Sequence, residues 1–201
     1  SGTSGLRPTI RSRCQRLRFV PLSRAVIDES LRLDRGLGPE QAAGLVRLDL
    51  ERENLLSAHA WCARVEGGAE QDCRLVHAIK HYWFMRGLLN LGHRVTVEAV
   101  ARSAAGDTGI ARCRALWVAG QICCEMGRYA EAPGYLEESL RTARILHEGR
   151  MVVSVLNTLG LAALGQGDRA AARRHCAEAL ELANSLDNKR GSAVAANALA
   201  Q

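Results

Sequence analysis

Residues 116–147 read LWVAGQICCEMGRYAEAPGYLEESLRTARILH, and residues 156–187 answer them forty positions later with LNTLGLAALGQGDRAAARRHCAEALELANSLD. The register does not drift. Gly120 falls on Gly160, Gly127 on Gly167, Ala132 on Ala172, Glu138 on Glu178, Leu140 on Leu180 and Ala143 on Ala183. A fixed offset of this size marks stacked supersecondary units, none of which can bury its apolar face alone.

Within each unit the apolar residues recur at helical spacing. A helix over about residues 110–126 places Leu116, Ala119, Gly120 and Cys123 on one face. A second, over about residues 130–147, does the same with Ala132, Leu136, Ser139, Leu140 and Ala143, and Gly127 supplies the turn between them. The next unit offers Leu156, Leu159, Gly160 and Ala163, then Ala172, Cys176, Ala179, Leu180 and Ala183, with Asp168 placed to cap the second helix. Gly or Ala at a helix crossing permits an approach of about 8 Å, so a bulky residue at Gly160 is expected to wedge the pair apart. Composition agrees with this reading. The chain of 201 residues is 47% hydrophobic but only 4% aromatic, so its core is built from Ala, Leu and Val, which suits closely packed helices.

Upstream, Pro39 suits the first turn of a helix over about residues 40–64, with Leu45, Leu48, Leu55, Ala58 and Cys62 forming one stripe. Further helices are expected over about residues 69–86, with Cys73, Val76, Ile79, Trp83 and Met85 or their neighbours inward, and over about 94–104, before the loop AAGDTG. Residues 1–38 form a basic segment. Its first 27 residues hold six Arg and no acid, a composition shared by transit peptides, basic arms and flexible chain ends; Pro8 and Pro21 oppose a single long helix there.

The spacing of Leu156, Leu159, Gly160, Gly167, Ala172 and Ala179, and of Leu116, Gly120, Gly127, Tyr129, Ala132 and Leu140, resembles the tetratricopeptide repeat. The resemblance implies an all-α fold of stacked antiparallel helix pairs forming a short right-handed superhelix over residues 39–201. Its clear repeats are residues 113–152 and 153–192; a degenerate unit, with Lys80 in place of the Gly, covers 73–112, and a truncated unit begins at 193. The period of 40 exceeds the family's usual value of about 34, so each helix is expected to be longer. Pro133 and Gly134 are expected to weaken or kink the opening of their helix. The frame stops in mid-helix and there is no initial Met, so the chain is expected to be a piece of a longer protein. The stretch ERENLLSAHAW at residues 51–61 resembles the lead-in helix of long-period arrays in bacterial signalling proteins, carried behind ATPase, protein-kinase, cyclase or DNA-binding modules. The 25 Arg against 2 Lys fit a GC-rich bacterial genome.

The net charge of +6 is concentrated at the start. Residues 1–36 contribute +5 and the rest only +1, so the repeat region carries no electrostatic footprint for a phosphate backbone. Nucleic-acid contact is an alternative for the Arg-rich start alone. The seven Cys (Cys14, Cys62, Cys73, Cys113, Cys123, Cys124 and Cys176) are odd in number and lack a framework spacing, which reads as buried reduced thiols in a cytoplasmic protein. No run approaches the roughly 18 apolar residues of a membrane span, and no secretory signal is evident. Phosphate-binding, dinucleotide, nucleophile-elbow, kinase and metal signatures are missing, so no cofactor is expected and any catalytic module is placed outside this chain. Cys73, His77 and His81 share a helical face, but the outer pair are about 12 Å apart along the axis, too far for one zinc ion. The vicinal pair Cys123 and Cys124 is neither a metal knuckle nor a redox CxxC.

Binding is the better expectation. The resemblance implies that the first helix of each pair lines a concave surface, one turn away from the buried stripe. The residues there are Arg74, His77 and His81, then Arg114, Trp117 and Gln121, then Asn157 and Leu161, then Asn197. Asn157 and Asn197 repeat in register, and an amide can both donate to and accept from a peptide backbone; solvated asparagines on a polar face are the other reading. Trp117 is either an anchor or inter-repeat packing. The expected function is a non-catalytic scaffold that docks a protein, a peptide or a neighbouring domain in a bacterial signalling or regulatory protein. The alternative is the regulatory region of a serine/threonine kinase or of an ATPase-type transcription regulator.

Overall fold

A computed structural model describes residues 39–103 and 108–199. The basic segment 1–38 with Cys14, and most of the AAGDTG loop, lie outside the described residues. Ten helices and no strand are found among those described: α1 (Pro39–Leu50), α2 (Arg52–Cys62), α3 (Gly68–Ala78), α4 (Lys80–Arg86), α5 (Leu89–Arg102), α6 (Ile110–Glu125), α7 (Ala132–Ile145), α8 (Gly149–Gly165), α9 (Arg169–Ser185) and α10 (Lys189–Leu199). The described helices fall into two units, α1 in the first and α2 to α10 in the second.

In the first unit, α1 begins at Pro39, where a missing N–H costs no helical bond, and it buries Leu45 while leaving Leu50 exposed. It ends at Leu50, so the expected helix over 40–64 is two helices that meet at Glu51.

The second unit is a run of helical hairpins. Helix α3 packs on α5, α6 on α7 and α8 on α9, while α3, α6, α8 and α10 form an inner row in which each touches the next. The corners share one construction. Gly87, Gly127, His147, Gly167 and Asp187 all have left-handed backbone, with φ of 66°, 72°, 55°, 80° and 49°. Behind each, the next N–H reaches back to the carbonyl five residues earlier: Leu88 to Trp83, Arg128 to Cys123, Glu148 to Ala143, Asp168 to Ala163 and Asn188 to Ala183, at 2.8–3.0 Å. This closes off helix carbonyls that would otherwise lack donors. The corners at 127, 147, 167 and 187 are twenty residues apart, which makes the forty-residue echo two equal helix-plus-corner steps.

The crossings also repeat. A Cβ added to Gly120 would lie 2.5 Å from Leu136 Cγ, and one added to Gly160, forty residues on, would collide with the thiol of Cys176, forty residues on from Leu136. Around these contacts a core forms from Cys113, Leu136, Val155, Leu156 and Leu159, among others. All six described cysteines are buried, and none of them is in a disulfide.

Three local expectations change. Helix α7 starts at Ala132 rather than near 130, so Pro133 sits in its first turn, where it leaves no intrahelical bond unmade; the helix is shortened rather than kinked. The expected helix over 69–86 breaks at Ile79 into α3 and α4, and α4 then closes on the Gly87 corner. In α2 the buried residues are His59 and Cys62, and Ala58 is exposed. Polar pairing outweighs hydrophobicity there. Asp72, fully buried on α3, receives His59 Nδ1 at 2.8 Å and the Arg102 guanidinium of α5, while His59 Nε2 meets Glu98 Oε2 at 2.9 Å. A buried carboxylate needs such partners, so the histidine side of α2 turns inward.

Candidate functional site

The inner row of helices leaves a groove of about 410 Å³. Helix α6 contributes Trp117, Gln121 and Glu125, α8 contributes Val153, Asn157, Leu161 and Leu164, and α10 contributes Arg190, Val194 and Asn197. Steps of three or four residues keep each set on one face of its helix. Lys80 and His81 of α4 complete the lining.

Trp117 is the structural centre of this surface. Its indole N–H donates to Thr158 Oγ1 at 3.0 Å, and Thr158 in turn donates to the Ser154 carbonyl at 2.9 Å, which ties α6 to α8. Over its ring the Lys80 ammonium stands 3.9 Å from the centroid, and the His77 ring lies 6.2 Å away. Trp117 packs between repeats, and its ring also lines the groove.

Asn157 donates from Nδ2 to the Gly191 carbonyl at 3.3 Å, which links α8 to α10. Its Oδ1 is buried without a partner, and so is Gln121 Oε1 one helix away. Both side chains line the groove, and both oxygens are closed off from solvent within it. Leu161 and Val194 add apolar surface and are 44% and 47% exposed.

Charge is uneven here. Burial, followed by the fields of Arg190 and Arg114, holds the Lys80 amine down at about 8. Burial likewise drops His77 to about 4, helped by Lys80, Arg114 and His81, and His81 is lowered by burial, Lys80 and Arg190. Glu125 is the one acidic residue among the described lining.

Of the residues named from sequence, His81, Trp117, Gln121, Asn157, Leu161 and Asn197 line the groove. His77 lies behind Trp117, and Arg114 is exposed beside Lys80 and His77. Arg74 points elsewhere and pairs with Glu70 at 2.6 Å. Sequence reasoning missed Glu125, Val153 and Leu164 on the inner helices, and with them Lys80, Arg190 and Val194. Counting back three and seven residues from Asn197 would have found the last two, and Lys80 was visible as the residue that replaces a repeat glycine. Cys73 does not converge with His77 and His81, because its thiol faces the Ala99 carbonyl at 3.7 Å. Among the described residues no cluster of three His, Cys, Asp or Glu is arranged to hold a metal ion, and no helix is long and apolar enough to cross a membrane.

A row of helical hairpins whose inner helices line an open groove defines a repeat scaffold that works by contact. Residues 152–186, which span α8 and α9, match the family model of the tetratricopeptide repeat. The described hairpins share the stacked helical architecture of that repeat, and tetratricopeptide repeats as a class are non-catalytic modules of protein interaction. No protein of curated function matches the chain.

Proposed function

We propose that this chain docks a protein partner by receiving an extended segment of it in the groove between α4, α6, α8 and α10, as the docking or sensing segment of a bacterial signalling or regulatory protein of the cytoplasm. The observation that carries the reading is the groove itself, in which the half-exposed apolar side chains of Leu161 and Val194 lie beside the amides of Gln121 and Asn157. An extended segment brings side chains that cover Leu161 and Val194. The signalling context rests on the lead-in sequence of α2 and on the long repeat period.

The test is selection from a random-peptide display library with the whole chain as bait and the Leu161→Ser, Val194→Ser double variant as the control. Both side chains are about half exposed, so the variant is expected to stay folded. Peptides that bind the wild type and not the variant support the groove. Equal recovery on both baits removes it.

A further inference from the structure

We infer that the groove selects acidic segments, with a glutamate or aspartate side chain of the docked peptide held between Lys80 and Arg190. This rests on the docking reading above and narrows the partner's chemistry.

The first ground is the positive charge gathered at the groove. Elsewhere in the second unit some cations pair with carboxylates, as Arg74 does with Glu70 and Arg112 with Glu138, and others among the described residues, such as Arg141, Arg150 and Arg173, stand apart from any. At the groove, among the described residues, Lys80, Arg114 and Arg190 have no carboxylate partner, although Lys80 and Arg190 come from α4 and α10 and face the same space. Like charges brought together from separate helices, one of them half-buried over an indole ring, leave an uncompensated positive field that an incoming carboxylate neutralises. Burial is the largest cause of the lowered pKa of Lys80, His77 and His81, and neighbouring cations add to it in each.

The second ground separates a peptide from a polyphosphate chain. Beside the cations lie the two orphaned acceptors, the carboxylate of Glu125 and the apolar side chains of Val153, Leu161 and Val194. A polyphosphate chain would carry charge past Glu125 at every unit and leave Val153, Leu161 and Val194 uncovered, whereas a peptide brings apolar side chains to that floor. Acidic residues alternating with apolar ones answer the cations and the apolar floor.

Fluorescence anisotropy on the whole chain tests the inference with three labelled decapeptides, alternating leucine with glutamate, glutamine or lysine, and with a single-stranded oligothymidylate as competitor. The glutamate peptide is expected to bind about tenfold or more tighter than the lysine peptide, weakly in high salt, and to lose about tenfold in Lys80→Gln and in Arg190→Gln. Thermal unfolding of both variants checks that they remain folded. Groove-dependent binding of the glutamine peptide with no preference for glutamate overturns the acidic selectivity and leaves the docking reading intact. Binding of no peptide in a Leu161- and Val194-dependent manner removes both. Displacement of the glutamate peptide by the oligothymidylate at lower concentration than by unlabelled peptide overturns the choice of a peptide.

Discussion

Gly160 of α8 lies directly under the Cys176 thiol of α9, so close that a Cβ could not be added without moving one helix or the sulfur. Gly120 stands in the same relation to Leu136 one repeat earlier. The repeat is thus conserved within the chain as a contact geometry as well as a letter pattern. Gly160→Ala is expected to cost about 1–3 kcal/mol in urea unfolding through overpacking, and Gly160→Leu more. Because the clash is with one atom, Cys176→Ala should relieve most of it. A double-mutant cycle reads this directly: additive effects would show that Cys176 is not what Gly160 accommodates.

His147 and Asp187 occupy left-handed corners that glycine fills at Gly87, Gly127 and Gly167. Side chains with a Cβ carry a penalty of about 1 kcal/mol in that region. His147→Gly and Asp187→Gly are therefore expected to raise stability slightly or leave it unchanged, whereas Gly127→Ala and Gly167→Ala lower it by about 1 kcal/mol. Urea midpoints at constant slope measure this, and a loss at His147 equal to that at Gly127 would contradict it.

Arg112 is buried and joins segments on both sides of residues 104–107. It donates to the Val100 carbonyl at 2.9 Å, to Ser103 Oγ at 2.8 Å and to Glu138 at 2.5 Å. Arg112→Met keeps the aliphatic bulk and abandons those acceptors, at an expected cost of about 2 kcal/mol. Hydrogen exchange should show the loss concentrated in α5 and the start of α6. Uniform exchange across all helices would argue against a local tie.

Lys80 links binding to pH. Its amine is held at about 8 by burial, then by Arg190 and Arg114, with His77 and His81 also facing it. A folded-state value below the ordinary one means that the folded chain releases its proton first as pH rises. Lys80 therefore contributes stability that increases with pH from about 8 upward. An acidic ligand favours the protonated amine, so binding of the glutamate peptide is expected to weaken over the same interval. Lys80→Met should raise the Tm at pH 7 while weakening that peptide, a divergence that simple misfolding cannot produce. A Tm that falls together with affinity would refute this account.

Much of the molecule was legible from residue spacing. The offset of forty placed the hairpins, the glycines at 127 and 167 placed corners, and stepping along one face from Trp117 through Asn157 to Asn197 found much of the groove lining. Those features are local or periodic, because a helix face and a corner depend on residues within a few positions. The inward turn of His59 escaped, since its cause is Asp72, thirteen residues away and on another helix. The break at Ile79 escaped as well, because α3 and α4 carry no Gly or Pro where they part.

By itself the sequence determined the repeat, the corners at Gly127 and Gly167 and the groove-lining face of α6, α8 and α10. Only tertiary structure decided which groups meet across that face: Lys80 over Trp117, Asn157 spent on Gly191 while its oxygen stays without a partner, and Arg190 brought opposite α4. Periodicity specifies faces residue by residue along one helix. Electrostatics and hydrogen bonding depend on distances between helices, and those are set by the small residues at the crossings and by the stacking they allow.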